Sequence, residues 1–180
     1  LLPPIGAFNQ NHDSPRWELV DRPLVSTRII PSTLAEVGFG ANGRFALGRR
    51  LGLTYDAYLT NGLGDGVIGN EEGRTLLAGG KHEELFAEDN NGSPAFSTRV
   101  AAQHRVLGEL GVSYYGGVYN TFREEGVEVE PRRRVSLAAV DLSTAVGPLS
   151  VRGEVAQAWI DVPPNLAELF GARQWGGHLD

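Results

Sequence analysis

The chain has no cysteine and no methionine. Without cysteine there is no disulfide framework, no thiolate metal site and no cysteine nucleophile. Without methionine, the expectation is that these 180 residues are a processed product or an internal piece of a longer polypeptide. The opening LLPPIGAFNQ has neither a basic n-region nor a small-residue cleavage site, so any export signal would lie upstream of it. Lysine is nearly absent: Lys81 stands alone among the basic residues and the rest are arginine. The net charge of -6 argues against bulk binding to nucleic acid. No stretch approaches the roughly 18–20 apolar residues of a spanning helix. With 41% apolar and 21% charged residues the chain is neither a disordered tail nor a helical membrane bundle. Its length fits one domain.

Glycine, by contrast, is abundant at 24 residues, with no collagen period to explain it. The strongest positive signal is alternation of apolar and polar residues. From Glu36 to Leu47, Val37, Phe39, Ala41, Gly43, Phe45 and Leu47 take one face, and Glu36, Asn42 and Arg44 the other. A helix would scatter the glycines through its interior at roughly 1 kcal/mol each, so a strand is the better reading. The same pattern recurs from Leu53, from Ala95, from Val112 (apolar face Val112, Tyr114, Gly116, Val118), across SLAAVDLSTAV and from Val151. GRRLG, GELG and GPL separate successive pairs as tight turns. The other connections are long: 62–94, a loop with room for a short helix in TLLAGGKHEELFA, then 123–134, then 163–175, after which WGGHLD starts a further strand.

Six strands with connections short, long, short, medium, short, medium suit either a soluble sandwich or a membrane barrel, since the two differ only in which face is wet. Three features favour the barrel. About ten residues at roughly 3.3 Å, tilted by about 40°, span roughly 25 Å, the height of an apolar membrane band. Tight turns gather at one end and long loops at the other. Aromatics fall near both ends, Tyr55 and Tyr114 toward the turns and Phe39, Phe96 and Trp159 toward the loops. The expectation is therefore an all-β, antiparallel up-and-down transmembrane β-barrel, partial, with about six hairpin-connected strands of a larger barrel. Residues 1–35 form a loop or constriction segment, 36–162 three β-hairpins, and 163–180 a loop and the start of a further strand, all in a single partial domain. Six strands cannot close a membrane barrel, whose smallest members use about eight, so the first and last strands should present open edges.

On this reading the polar faces line a lumen. Arg44, Asp56, Arg99, Arg105, Asp141, Arg152 and Glu154 lie there with glycine or alanine between them. Arg22 and Arg28 sit in the segment that would enter or cover the mouth, where eyelet charges set selectivity. Together with Arg44, Arg99, Arg105 and Arg152 they are the expected cationic side of the solute path. Glu36, Asp56, Asp141 and Glu154 are the opposing side.

Other clusters carry less. His12 beside Asp13 could orient a base, but no nucleophile follows at a recognisable spacing. His82 with Glu83, Glu84, Glu88 and Asp89 lacks the glycine and alternating acids of an EF-hand and reads as a solvated acidic loop. GLGDGVIG is followed by no GKS or GKT, so it is turn chemistry rather than a P-loop. Arg132, Arg133 and Arg134 follow Glu124, Glu125, Glu128 and Glu130 and should pair with them. No catalytic set, metal site or cofactor is expected.

PPIGAFNQNHDSPR, DRPLVSTRIIPSTLAEVGFGANGRF and GPLSVRGEVAQAW resemble bacterial outer-membrane porins of the phosphate-selective type, over most of the chain from Pro4 to about Trp175. DRPLV with IIPST is the most specific of these motifs. The resemblance implies a passive channel of about sixteen strands per barrel, trimeric when full length, in the outer membrane of a Gram-negative bacterium. Its partners would be outer-membrane lipid and small solutes or ions. Phosphate-binding members use ladders of arginine and lysine, whereas here acids about match bases. The expected cargo is accordingly small hydrophilic solutes or ions, anions such as phosphate among them. The alternative is a soluble β-rich carbohydrate-binding module with Phe39, Val100 and Val140 in a dry core. A membrane-barrel enzyme or assembly scaffold finds no residues to support it.

Overall fold

A computed structural model of the chain describes residues 1–7, 22–31, 34–81 and 91–180. Its main element is one antiparallel sheet of seven strands, one more than the alternation suggested. The strands are β1 (Gly38–Leu47), β2 (Leu51–Thr60), β3 (Ala95–His104), β4 (Gly108–Val118), β7 (Arg134–Val146), β8 (Leu149–Ile160) and β9 (Arg173–Leu179). They pair in chain order, a plain meander. The extra member is β9, expected only as the start of a strand; Gly153↔Leu179 to Trp159↔Arg173 pair it with β8 over its whole length. The medium-length connection after β4 holds a separate two-residue hairpin, β5 (Arg123–Glu124) with β6 (Val127–Glu128). Helical structure includes a π-helical turn at Val25–Ile29 and 3-10 turns at Asp65–Val67, Leu77–Gly80 and Pro164–Leu166.

The short connections are hairpin turns. Gly48 (φ 78°) and Gly147 (φ 61°) occupy the left-handed conformation that such turns demand and that side chains with a Cβ rarely adopt. β1 and β9 are the two edges, and they are not hydrogen-bonded to each other, so the sheet does not close.

Register carries the expected alternation across the whole sheet. Tyr55, Val100, Val112, Val140 and Val155 form one row on one face. That face is open: Val100 is 43% exposed, Val112 55% and Val155 58%. The opposite face carries the charges and is covered over the middle and loop-end parts of β3, β4, β7 and β8, whereas β1 is exposed on both faces. Arg99, Ser113, Asp141 and Glu154 are all buried there. This inverts the usual arrangement, in which exposed apolar side chains in a contiguous patch are rare. Val118, expected with the open row, is instead buried at the end of β4, where Asn91 Nδ2 donates to its carbonyl at 2.9 Å.

The aromatic distribution differs from expectation. Tyr114 lies opposite Thr98 and Ala138, toward the long loops, and joins Phe39, Phe96, Trp159 and Trp175 in one belt there. Among the described residues Phe45 alone lies toward the turns, its ring stacked on Tyr55 with centroids 5.5 Å apart. Gly43 permits this, since a Cβ there would meet the Tyr55 ring at 2.6 Å.

Candidate functional site

The covered face has two halves. Toward the long loops its residues are small or apolar: Ala95, Leu137, Ala139, Ala156, Ala158 and Ile160. Onto them folds a strap, residues 1–7, 22–31 and 34–37, which buries Ile5, Val25, Ile29, Ile30 and Leu34. Each such burial contributes about 1.5–3 kcal/mol, so the strap is held by on the order of 10 kcal/mol of apolar contact. Its end is latched by Glu36. One carboxylate oxygen accepts from Tyr115 Oη at 2.8 Å, the other from Thr60 Oγ1 at 2.5 Å, and the backbone nitrogen of Leu1 donates to the Glu36 carbonyl at 2.8 Å. Burial raises the Glu36 carboxyl above the usual carboxylate range against the lowering effect of those donors.

A second segment crosses the same face. Residues 62–81, expected as a polar loop, bury Leu63, Val67 and Leu77. They reach the far edge of the sheet, where Thr75 Oγ1 donates to the Gly171 carbonyl at 2.7 Å and Gln174 Nε2 to the Thr75 carbonyl at 2.7 Å. β2 and β9 are separated by four strands, so this connection bridges the sheet from one side to the other. Asp65 ties it to Thr121, accepting from the backbone at 2.9 Å and from the hydroxyl at 2.7 Å. Arg28 joins strap to bridge through both oxygens of Glu72, each at 3.2 Å. Arg74 also donates to Glu72, and its guanidinium, more than Arg28, holds that exposed carboxyl below the usual range.

Toward the turns the covered face is polar. Arg99 reaches across β4 to Asp141 on β7, Nε to Oδ2 at 3.1 Å and Nη2 to Oδ1 at 2.5 Å. The same Nη2 donates to Glu109 at 2.7 Å, whose other oxygen accepts from Gln103 at 2.6 Å. Gly111 lies directly beneath the pair, and a Cβ there would sit 2.5 Å from an Asp141 oxygen. Glu154 lies opposite Asp141 on one side and His178 on the other. The strap's Gly6 (φ 66°) rests on its carboxylate and donates its N–H to Ser113 Oγ at 3.0 Å.

At the turns themselves a cleft of about 450 Å3 opens between the β1–β2 and β3–β4 hairpins, bordered by Arg44, Arg49, Arg50 and Arg105. The Arg44 guanidinium lies over Gly52, 3.3 Å from where a Cβ would be. Arg105 N–H donates to the Arg50 carbonyl at 2.9 Å, which fixes the two hairpins together.

The expected site residues thus fall into groups. Asp141 and Glu154 share one buried row, and Arg99 lies in the next row toward the long loops, opposite Ser113 and Asp56. Tyr58 Oη lies 3.4 Å from Asp56. Arg44 and Arg105 meet at the turn cleft. Arg152 lies on β8 opposite Ser143, its backbone bonded both ways to Asp180. Glu36 is the strap latch. Arg28 is engaged by Glu72, and Arg22 lies near Lys81. His12, Asp13, His82, Glu83, Glu84, Glu88 and Asp89 lie outside the described residues. Arg132 pairs with Glu128 and Arg133 with Glu130, each at 3.6 Å, as the charge run suggested. Among the described residues no three His, Asp or Glu side chains converge to hold a metal.

Sequence reasoning missed Glu109 and Gln103, because alternation does not say which neighbours a strand will have. It missed the bridge as well. Leu63, Val67 and Leu77 were its only signal, scattered among turn residues without a period.

No family model matches the chain, and no solved structure matches it. A stretch of 63 residues is 40% identical to an uncharacterized protein of Aquifex aeolicus (strain VF5). The match covers 35% of this chain and 13% of that protein, so the relative is more than twice as long.

Proposed function

We propose that this chain is a wedge of an outer-membrane β-barrel channel through which small hydrophilic solutes or ions diffuse passively. The reading rests on one observation: the sheet exposes its apolar face and covers its charged one. In lipid that polarity is favourable, because the apolar rows meet hydrocarbon while the charged face points inward, away from it. The 10 to 13 residues of β1, β2, β3, β4, β7 and β8 suit the membrane height, and a single aromatic belt toward the long loops suits one interface. The two open edges are where further strands of a longer barrel pair.

The strap and the bridge then narrow the lumen at the loop end. Passage is governed by the space they leave and by the charges below them. No bond is made or broken in this function, and no cofactor enters it. The full-length assembly is a trimer in the reading that the motif resemblance implies. A carbohydrate-binding module would keep Phe39, Val100 and Val140 in a dry core, whereas they are 73%, 43% and 47% exposed.

The experiment uses the full-length polypeptide with a single Val140→Cys substitution, reconstituted in vesicles. A membrane-partitioning maleimide should label it and a charged aqueous maleimide should not, while planar bilayers show stable conductance steps under a salt gradient. Aqueous labelling at Val140, or a bilayer without steps, overturns the reading.

A further inference from the structure

We propose that the arginine cleft at the turn end is a binding site for the phosphate of an anionic phospholipid. The proposal rests on the membrane-barrel reading and assigns a lipid to one rim of it. Arg44, Arg49, Arg50 and Arg105 border a cleft of about 450 Å3. Among the described residues none of these four guanidinium groups has a carboxylate within ion-pair distance. By contrast, Arg28, Arg74, Arg99, Arg123, Arg132 and Arg133 each have one. Four like charges gathered around one opening repel each other, and an anion between them removes that cost. The structure closes the hairpins at 48–50, at 105–107 rather than at GELG, and at 147–148; these turns hold Arg49, Arg50 and Arg105 and no acidic residue. Guanidinium groups present a fork of donors that matches phosphate oxygens.

The surroundings point to a lipid rather than a dissolved ion. The turns also carry exposed apolar side chains: Leu47, Leu51, Val106 and Leu107, from 38% to 66% exposed. Leu47 and Leu51 end the apolar face at the level of the turn arginines; Leu51 lines the cleft, whose other wall, Arg44, Ala46, Gly52 and Gln103, belongs to the charged face, so the cleft sits at the rim between the two. A molecule that fits both features has an anionic head and hydrocarbon tails. His104 belongs to the frame and not to the ligand set, because its Nδ1 accepts from the backbone N–H of Val106 at 3.3 Å and of Leu107 at 3.1 Å.

The test reconstitutes the full-length polypeptide into vesicles of phosphatidylcholine alone or with phosphatidylglycerol. Insertion is read by flotation, and lipid retention by native mass spectrometry after detergent extraction. Wild type should retain phosphatidylglycerol over phosphatidylcholine, with a preference of about fivefold per arginine at low salt, and so on the order of 100-fold for three. The combined Arg49→Gln, Arg50→Gln, Arg105→Gln variant should insert normally and lose that preference; the corresponding lysine variant should keep most of it. Equal preference in the glutamine variant overturns the site. Release of phosphatidylglycerol by millimolar inorganic phosphate overturns the lipid assignment in favour of a dissolved anion. Insertion into phosphatidylcholine without headgroup preference refutes this site and leaves the membrane reading standing, whereas failure to float in either vesicle refutes both.

Discussion

Gly111→Ala tests whether the Arg99–Asp141 pair braces the sheet. The pair spans β4, and Gly111 is the only thing between it and the backbone. Both side chains are nearly out of solvent, at 6% and 2% exposure. At an effective dielectric of about 20 two charges in such contact attract by roughly 5 kcal/mol, and removing one partner of a buried pair costs about 3–5 kcal/mol. A methyl group at Gly111 would stand 2.5 Å and 2.7 Å from the two Asp141 oxygens, where ordinary contact begins at 3.4 Å. Both partners must withdraw by about an ångström, and Glu109, held by Arg99 and Gln103, must follow. The expected destabilisation is therefore about 3–5 kcal/mol, far above the ordinary gain from replacing glycine by alanine in a strand. It is measured by denaturant unfolding of the full-length protein in detergent, followed by tryptophan fluorescence. In the Arg99→Gln, Asp141→Asn background the same substitution should cost at least 2 kcal/mol less, since the charges it displaces are gone. A cost below about 1 kcal/mol, or an equal cost in both backgrounds, would refute the bracing argument.

Val140→Arg should destabilise by about 2–4 kcal/mol in vesicles, because it places a charge at mid-height of the apolar face, while Val146→Arg at the turn should cost no more than about 1 kcal/mol; equal costs in paired unfolding titrations would remove the depth dependence and with it the lipid assignment. Glu36 has a carboxyl raised by burial, so its ionisation opposes the latched state. The stability it lends is fully present below pH of about 4.5 and is lost as pH rises through the raised value; hydrogen exchange of residues 1–7 should quicken over that window in wild type and become flat in Glu36→Gln. Gly6→Ala should loosen the strap, since it combines a left-handed φ of 66° with a Cβ 2.5 Å from the Glu154 carboxylate. The expected cost is about 1–3 kcal/mol, read as faster exchange in the strap, and unchanged protection would count against the packing described.

Strand positions were legible because alternation is a local property. Each residue of Val37 to Leu47 states its own face, and no distant partner is needed to read it. The hairpin turns were legible for the same reason, since Gly48 and Gly147 sit where a left-handed residue is required. β9 was missed in part because RQWGGHL holds two adjacent glycines and only a weak alternation. Residues 1–35 were expected as a loop or constriction segment at the mouth. That they bury Ile5, Ile29 and Ile30 against Ala156 and Ala158 depends on residues more than a hundred positions away.

The site divides along the same line. That Arg99 and Asp141 lie on the polar faces of their strands follows from parity alone. That they bond each other follows from β3, β4 and β7 being neighbours in the register that places Gly111 beneath them. Parity sorts side chains into two faces and is blind to which face meets solvent, since the pattern reads the same inside out. The chain order therefore specified the strands, the turns and the two faces. Only the folded sheet, by laying the strap and the bridge over the charged face and leaving the apolar one bare, decided which was which, because covering a face takes contacts that no local pattern encodes.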